Sequence, residues 1–201
     1  MEKRPTRQTG KPPGSVRIIA GEWRGRRIEV ASGAEIRPTP DRVRETLFNW
    51  LAPVLPGMHC LDLYAGTGVL GLEALSRGAA ESWFVEQDAA AARALEMVLD
   101  RFDGPGHDRG RGRGRVLRAD ARRWLAGPVP RSFDLVFLDP PYAADELGNL
   151  CTLLARGWLA PHAWVYLETS RKYALPAMPA GWQLHREREA GEVRYALARL
   201  V

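Results

Sequence analysis

Between residues 58 and 168, short apolar runs alternate with stretches of helical period, and this alternation constrains the fold more than any other feature of the chain. Apolar runs at 60–64, 82–86, 116–119, 133–138 and 163–168 read as strands. Stretches at 69–76, 88–101, 121–125 and 146–156 read as helices between them. A chain that alternates in this way builds a parallel sheet covered by helices on both faces. Two later runs, 183–187 and 193–200, read as a closing antiparallel pair. The expected class is therefore α/β and Rossmann-like, with no internal repeat.

The first strand-to-helix turn carries the strongest ligand signal. Gly66, Gly68 and Gly71 satisfy G-x-G-x-x-G directly after Asp62, and Glu86 ends the next strand twenty residues after Gly66. Glycines there let the backbone turn tightly and approach a ligand closely, and an acid at the second strand end can accept both hydroxyls of a ribose. The pattern points to an adenosine-containing cofactor, either a dinucleotide or S-adenosylmethionine. Asp120 ends the third run. It can accept from an adenine amino group, cap the helix at 121–125, or do both.

The fourth run ends in Asp139-Pro140-Pro141-Tyr142. Two prolines stiffen the backbone where ligands bind in such sheets. The Asp139 carboxylate and the Pro140 carbonyl can then serve as paired acceptors, with Tyr142 as a flat face for a base. An aromatic exocyclic amine needs these groups, because its lone pair is delocalised into the ring. Hydrogen bonds to both N–H groups draw the nitrogen towards tetrahedral geometry, and methyl transfer then proceeds by positioning and electrostatics. Asp139 orients the amine and can also take its proton. The plainer alternative is a stiff turn in which Asp139 caps and Tyr142 packs.

Upstream, residues 1–15 hold Pro5, Gly10, Pro12, Pro13 and Gly14 without apolar period and read as a disordered basic tail. Residues 16–19 and 26–30 read as a hairpin. Thr39 is placed to cap a helix with Pro40 at its first position, and Val43, Leu47, Trp50 and Leu51 then share one face. Residues 16–52 form a candidate RNA-contacting segment ahead of a cofactor-binding domain at 53–201. The net charge of +5 belongs entirely to the beginning of the chain. Residues 1–44 hold 11 Lys/Arg against 5 Asp/Glu, and the remainder holds 18 against 19. A basic arm beside a near-neutral body suits a polyanion partner, although solvated arginines are the bland reading for each position. Cys60 and Cys151 lack CxxC spacing, which argues against a disulfide framework or a zinc site and fits a reducing, cytoplasmic setting. No apolar run approaches the ~20 residues of a membrane span. The expectation is a cytoplasmic monomer with no metal and no membrane partner.

Asp62-x-x-x-Gly66-x-Gly68 together with Asp139-Pro-Pro-Tyr142 resembles the amino-methyltransferases that use S-adenosylmethionine. More narrowly, the blocks at 17–25, 37–50, 61–68 and 71–77 resemble the RsmD family, and the segment His185-Arg186-Glu187 also fits. The resemblance implies a seven-stranded class I methyltransferase sheet with a small N-terminal hairpin. It implies methylation of a guanine N2 amine in bacterial 16S ribosomal RNA, on an assembled or assembling small subunit. Carried over by position, Asp62, Tyr64, Gly66 and Gly68 cradle the methionine end of the cofactor, with Glu86 at the ribose, Asp120 at the adenine and Asp139 close by. Asp139, Pro140 and Tyr142 orient the target amine. Arg17, Arg24, Arg26, Arg37, Arg42 and Arg44 are candidate RNA contacts, with Trp23 as a stacking platform or a hairpin packing residue. The basic loop at 109–115 and the tail at 1–15 depart from the family pattern. A DNA adenine-N6 methyltransferase, an NAD-dependent oxidoreductase and a non-catalytic RNA-binding assembly factor are the competing expectations.

Overall fold

A computed structural model describes residues 14–29, 39–103, 113–141 and 146–201. The chain opens with a two-stranded antiparallel hairpin, β1 (Ser15–Arg17) and β2 (Arg27–Glu29), followed by α1 (Asp41–Leu51). The alternating body follows: β3 (His59–Asp62), α2 (Val69–Ser76), β4 (Glu81–Glu86), α3 (Ala89–Asp103), β5 (Arg113–Arg118), α4 (Ala121–Leu125), β6 (Phe133–Leu138), α5 (Glu146–Leu154) and β7 (Leu159–Ser170). β8 (Trp182–Ala190) and β9 (Val193–Leu200) close the chain.

One seven-stranded sheet runs in the order β5-β4-β3-β6-β7-β9-β8. Its first five strands are parallel, and β9 lies antiparallel between β7 and β8. Strand order reverses between β3 and β6, so their carboxyl ends flank the crevice where open α/β sheets bind ligands.

Each face of the sheet has its own apolar layer. Residues of α1, α2 and α3 pack on one face against Cys60, Phe84, Phe137 and Tyr166. Residues of α4 and α5 pack on the other against Leu61, Val85, Val136 and Trp158. The N-terminal hairpin belongs to the first layer, because Val16, Ile18, Trp23 and Ile28 are buried in the same cluster as the sheet residues.

Three local expectations are corrected. Thr39 does not cap α1. Pro40 occupies that position without a side-chain bond, because the Thr39 hydroxyl is engaged by Glu168 and Asp139 instead. The basic stretch at 109–115 is not all loop. Residues 109–112 lie outside the described residues, while Arg113 to Arg115 pair with β4. Gly114 permits that pairing, since a Cβ there would sit 2.2 Å from Leu99 Cδ2. β7 is longer than the apolar run at 163–168, because its first residues pair at the start of β6 and its last ones follow β9.

Candidate active site

The turn after β3 is shaped by backbone that only glycine adopts readily. Gly66 and Gly68 have φ of 52° and 73°, and the Gly68 N–H donates to the Ala65 carbonyl at 2.6 Å. A Cβ on Gly68 would fall 2.4 Å from Leu95 Cδ1, so the turn is pressed onto α3. Asp62, at the tip of β3, accepts from the Gly71 N–H at 3.1 Å. Glu86, at the tip of β4, accepts from the Gly66 N–H at 2.8 Å and from the Asp88 N–H at 2.7 Å. Asp120 follows β5 and caps α4 by accepting from the Arg123 N–H at 2.8 Å. The capping alternative is thus realised, and Asp120 remains exposed on the same edge of the sheet. Tyr64 donates to Glu146 at 2.8 Å and ties the turn to α5.

The β6 tip completes the crevice. Leu138 pairs with Leu167 across the sheet, so Asp139 and Glu168 follow side by side. Asp139 is partly buried and Pro140 is buried behind it. Glu168 is sealed from solvent, and its Oε2 accepts from the Tyr166 hydroxyl at 2.6 Å. The Thr39 hydroxyl stands between the two acids, 3.2 Å from Glu168 Oε2 and 3.4 Å from Asp139 Oδ2. Tyr142 and Arg37 lie outside the described residues.

These carboxyls are held in unusual states. Burial pushes Asp62 up to about 7, only partly opposed by the Gly71 N–H and reinforced by the charge on Glu86. Burial, then the charges of Glu168 and Asp62, raise Asp139 well above the usual carboxylate range, against the Thr39 hydrogen bond. Burial also raises Glu168, opposed by hydrogen bonds from Tyr166 and Thr39. Among the described residues no salt bridge reaches any of the three. Desolvated acids without countercharge, gathered in a crevice, mark a functional site. Buried Asp62, with one hydrogen bond and no cation among the described residues, suits a ligand that brings an ammonium group. Asp62, Glu86 and Asp120 at three successive strand tips suit a ligand rich in donors.

The arginines divide into two groups. Arg17, Arg24, Arg26 and Arg42 are exposed. Arg17 pairs with Asp41 at 3.2 Å while 60% of its side chain stays accessible. Arg26 lies 5.1 Å above the Phe102 ring and donates to the Phe102 carbonyl. Arg44 and Trp23 are corrections to the list of surface candidates. Arg44 is fully buried, bonded to Asp41 at 2.6 Å, to the Thr39 and Arg17 carbonyls and to Glu73. It lies on the Leu47, Phe48 and Leu51 face of α1, a spacing that identifies it as inward-facing. Trp23 is buried against Phe102 at 5.2 Å, which settles its place as hairpin packing. The sequence reading assigns no role to Glu73, Glu168, Arg186 or Arg188. Only the last two left a local signal. Residues 186–189 alternate Arg-Glu-Arg-Glu, and a strand sends alternate residues to opposite faces. Glu187 and Glu189 meet Arg194 at 3.7 and 2.7 Å on one face. Arg186 and Arg188 stand exposed on the other, in register with Leu197 and Tyr195.

Solved structures share this architecture. A putative methyltransferase, yhhF from Escherichia coli, superposes with a TM-score of 0.82 at 43% identity, covering 93% of this chain and 98% of that one. The seven-stranded sheet, the glycine turn and the acid-tipped crevice thus define a Rossmann-like methyltransferase. The sequence model of the family described as "Conserved hypothetical protein 95" matches residues 16–199. Ribosomal RNA small subunit methyltransferase D of Escherichia coli K12 is 45% identical over 185 residues, covering 92% of this chain and 89% of that protein. Its counterpart from Haemophilus influenzae is 40% identical over 192 residues, covering 94% and 96%. The chain belongs to the RsmD family of methyltransferases.

Proposed function

We propose that the protein transfers a methyl group from S-adenosylmethionine to the exocyclic N2 amine of a guanine in 16S ribosomal RNA of the small subunit. The observation that carries this reading is the β6 tip, where Asp139 and the following proline stand across the sheet's switch point from the glycine turn of β3. The printed names of the relatives support the ribosomal RNA substrate.

The bound donor supplies an electrophilic methyl group on a sulfonium. The chain's own residues hold and orient. Asp62 and the turn at Gly66 and Gly68 receive the amino-acid end, with Tyr64 bracing the turn against α5. Glu86 takes the ribose hydroxyls and Asp120 the adenine amine. Asp139 and the Pro140 carbonyl accept from the two N–H groups of the target amine, and Tyr142 stacks on its ring. Preorganised acceptors of this kind lower the barrier without reorganising during the reaction.

RNA would be gripped by arginines of the N-terminal segment and of β8. Arg17, Arg24, Arg26, Arg37 and Arg42 form the N-terminal set, and the outward row of Arg186 and Arg188 on β8 extends it. Arg186 stands 6.0 Å over the Trp50 ring, which links the strand to α1.

The test is a methyl-transfer assay on small subunits lacking modification, with mass mapping of the product. A methyl group on guanine N2 is expected. A methyl group on adenine N6 of DNA, with none on the subunit, would overturn the proposal. Calorimetry should also detect S-adenosylhomocysteine binding but no NAD binding.

A further inference from the structure

We propose that Glu168 is a positioning residue for methyl transfer: Asp139 and Glu168 hold one proton in common through the Thr39 hydroxyl, and its passage to Glu168 leaves Asp139 ionised to accept the target amine. The inference rests on the reading of Asp139 as the acceptor that faces that amine.

The geometry is specific. Cross-strand register places the two acids side by side at the crevice. The Thr39 oxygen reaches both at hydrogen-bond distance, and among the described residues it alone bridges them. A hydroxyl can accept one hydrogen bond while donating another. Thr39 is itself fixed, because Arg44 Nε donates to its carbonyl at 3.2 Å and Arg44 is locked by Glu73 and Asp41. Tyr166 holds Glu168 Oε2 from its own strand. Among the described residues, the other titratable groups beside the pair are Asp62 from β3 and Tyr195, which is in register with Glu168 on β9. None of these brings a positive charge.

Two desolvated carboxyls without a countercharge cannot both ionise, so the pair retains a proton and titrates as a unit. The balance between its halves follows from their bonds. Glu168 receives two hydroxyl donors and is the better anion at rest. Asp139 has, among the described residues, only the shared contact and carries the proton. When an amine N–H approaches Asp139, that half becomes the better anion. The Asp139 O–H bond breaks as a new O–H bond forms at Thr39 Oγ1. The former Thr39 proton moves to Glu168 Oε2, and the total charge is unchanged. Methyl transfer then forms an N–C bond as the donor's S–C bond breaks, with the electron pair remaining on sulfur. The nitrogen's surplus proton passes to Asp139, and one proton of the pair leaves to water.

The experiment compares Glu168→Gln, Thr39→Val and Thr39→Ser with the wild type. Glu168→Gln removes the internal proton acceptor, so Asp139 must release its proton to solvent, and the acid limb of the kcat–pH profile should move up by about one unit or more. The protonated-carboxyl stretch at neutral pH, read without donor or RNA, should weaken in that variant by the share of the pair, leaving the contribution of Asp62. Thr39→Val should lose at least about tenfold in kcat with S-adenosylhomocysteine affinity kept, and Thr39→Ser should recover it. An unmoved acid limb with an unmoved infrared band overturns the proposal. So does a Thr39→Val variant with wild-type kcat, a measurement that stands if Glu168→Gln fails to fold. The infrared arm needs no substrate, so a wrong methylation target would be seen separately from a wrong proton assignment.

Discussion

Glu73 in α2 and Glu168 in β7 are both carboxylates sealed from water, yet different chemistry surrounds them. Glu73 accepts from the Ile19 and Ala20 N–H groups at 2.8 and 3.0 Å, from Arg77 at 2.7 Å, and pairs with Arg44 at 3.5 Å. Its charge is answered from both sides, and the cluster clamps the N-terminal hairpin and α1 onto the body. The hairpin's approach is close. A Cβ at Gly21 would lie 1.8 Å from the Ser76 carbonyl oxygen, and the Glu22 N–H donates to that same oxygen at 2.7 Å. Among the described residues, Glu168, Asp139 and Asp62 receive only hydroxyl and N–H donors. One acid cluster is therefore a structural joint, and the other is the one proposed to act on the substrate. A fully compensated buried ion resists change, whereas an uncompensated one stores a readiness to bind a proton or a cation. The two are linked, because the Arg44 that answers Glu73 also holds the Thr39 carbonyl.

The sharpest separation comes from Asp139→Asn. It should cut methyl transfer by about 10²- to 10⁴-fold while leaving S-adenosylhomocysteine affinity within a few-fold. Near-wild-type turnover would place Asp139 with the structural acids. Glu73→Ala should destabilise the fold by about 3–5 kcal/mol, read from the denaturant midpoint, because buried Arg44 loses a partner. A loss below about 1 kcal/mol would mean that Asp41 alone suffices for Arg44.

The pH dependence of stability distinguishes the clusters more finely. A carboxyl raised by folding binds its proton more tightly in the native state, so its contribution is fully present below the unfolded value and is lost as pH rises through the folded one. For Asp62 that window runs from 3.8 to about 7. Stability of the ligand-free protein should fall as pH rises through it, and Asp62→Asn should remove up to about 1.4 kcal/mol per pH unit of that slope. An unchanged slope in the variant would assign the dependence to other groups. The smallest effect is at the surface. Replacing Arg186 and Arg188 by Glu should weaken small-subunit binding and flatten its log–log salt dependence by about 0.7–0.9 per lost phosphate contact. An equal slope in variant and wild type would remove β8 from the RNA face.

Much of this architecture was legible in local pattern. Apolar runs and helical stretches placed α2, α4 and β6 at their observed residues, because burial of one face imposes a period that nearby residues reveal. The glycine turn, the acids at strand tips and the double proline after β6 were readable for the same reason, since backbone geometry at a turn demands particular residue types. Arg44 resembles a surface contact by its charge, whereas its position on the apolar face of α1 buries it. Thr39 was assigned to the helix it precedes, whereas its hydroxyl serves acids 100 and 129 residues further along.

The sequence by itself determined the order of strands and helices, the glycine turn, the acids at the ends of β3, β4, β5 and β6, and the family, all of which depend on neighbours along the chain. Only the tertiary structure decided which buried acids have a countercharge and which do not. Desolvation and pairing depend on groups that the folded sheet brings together, and spacing in the sequence does not encode them.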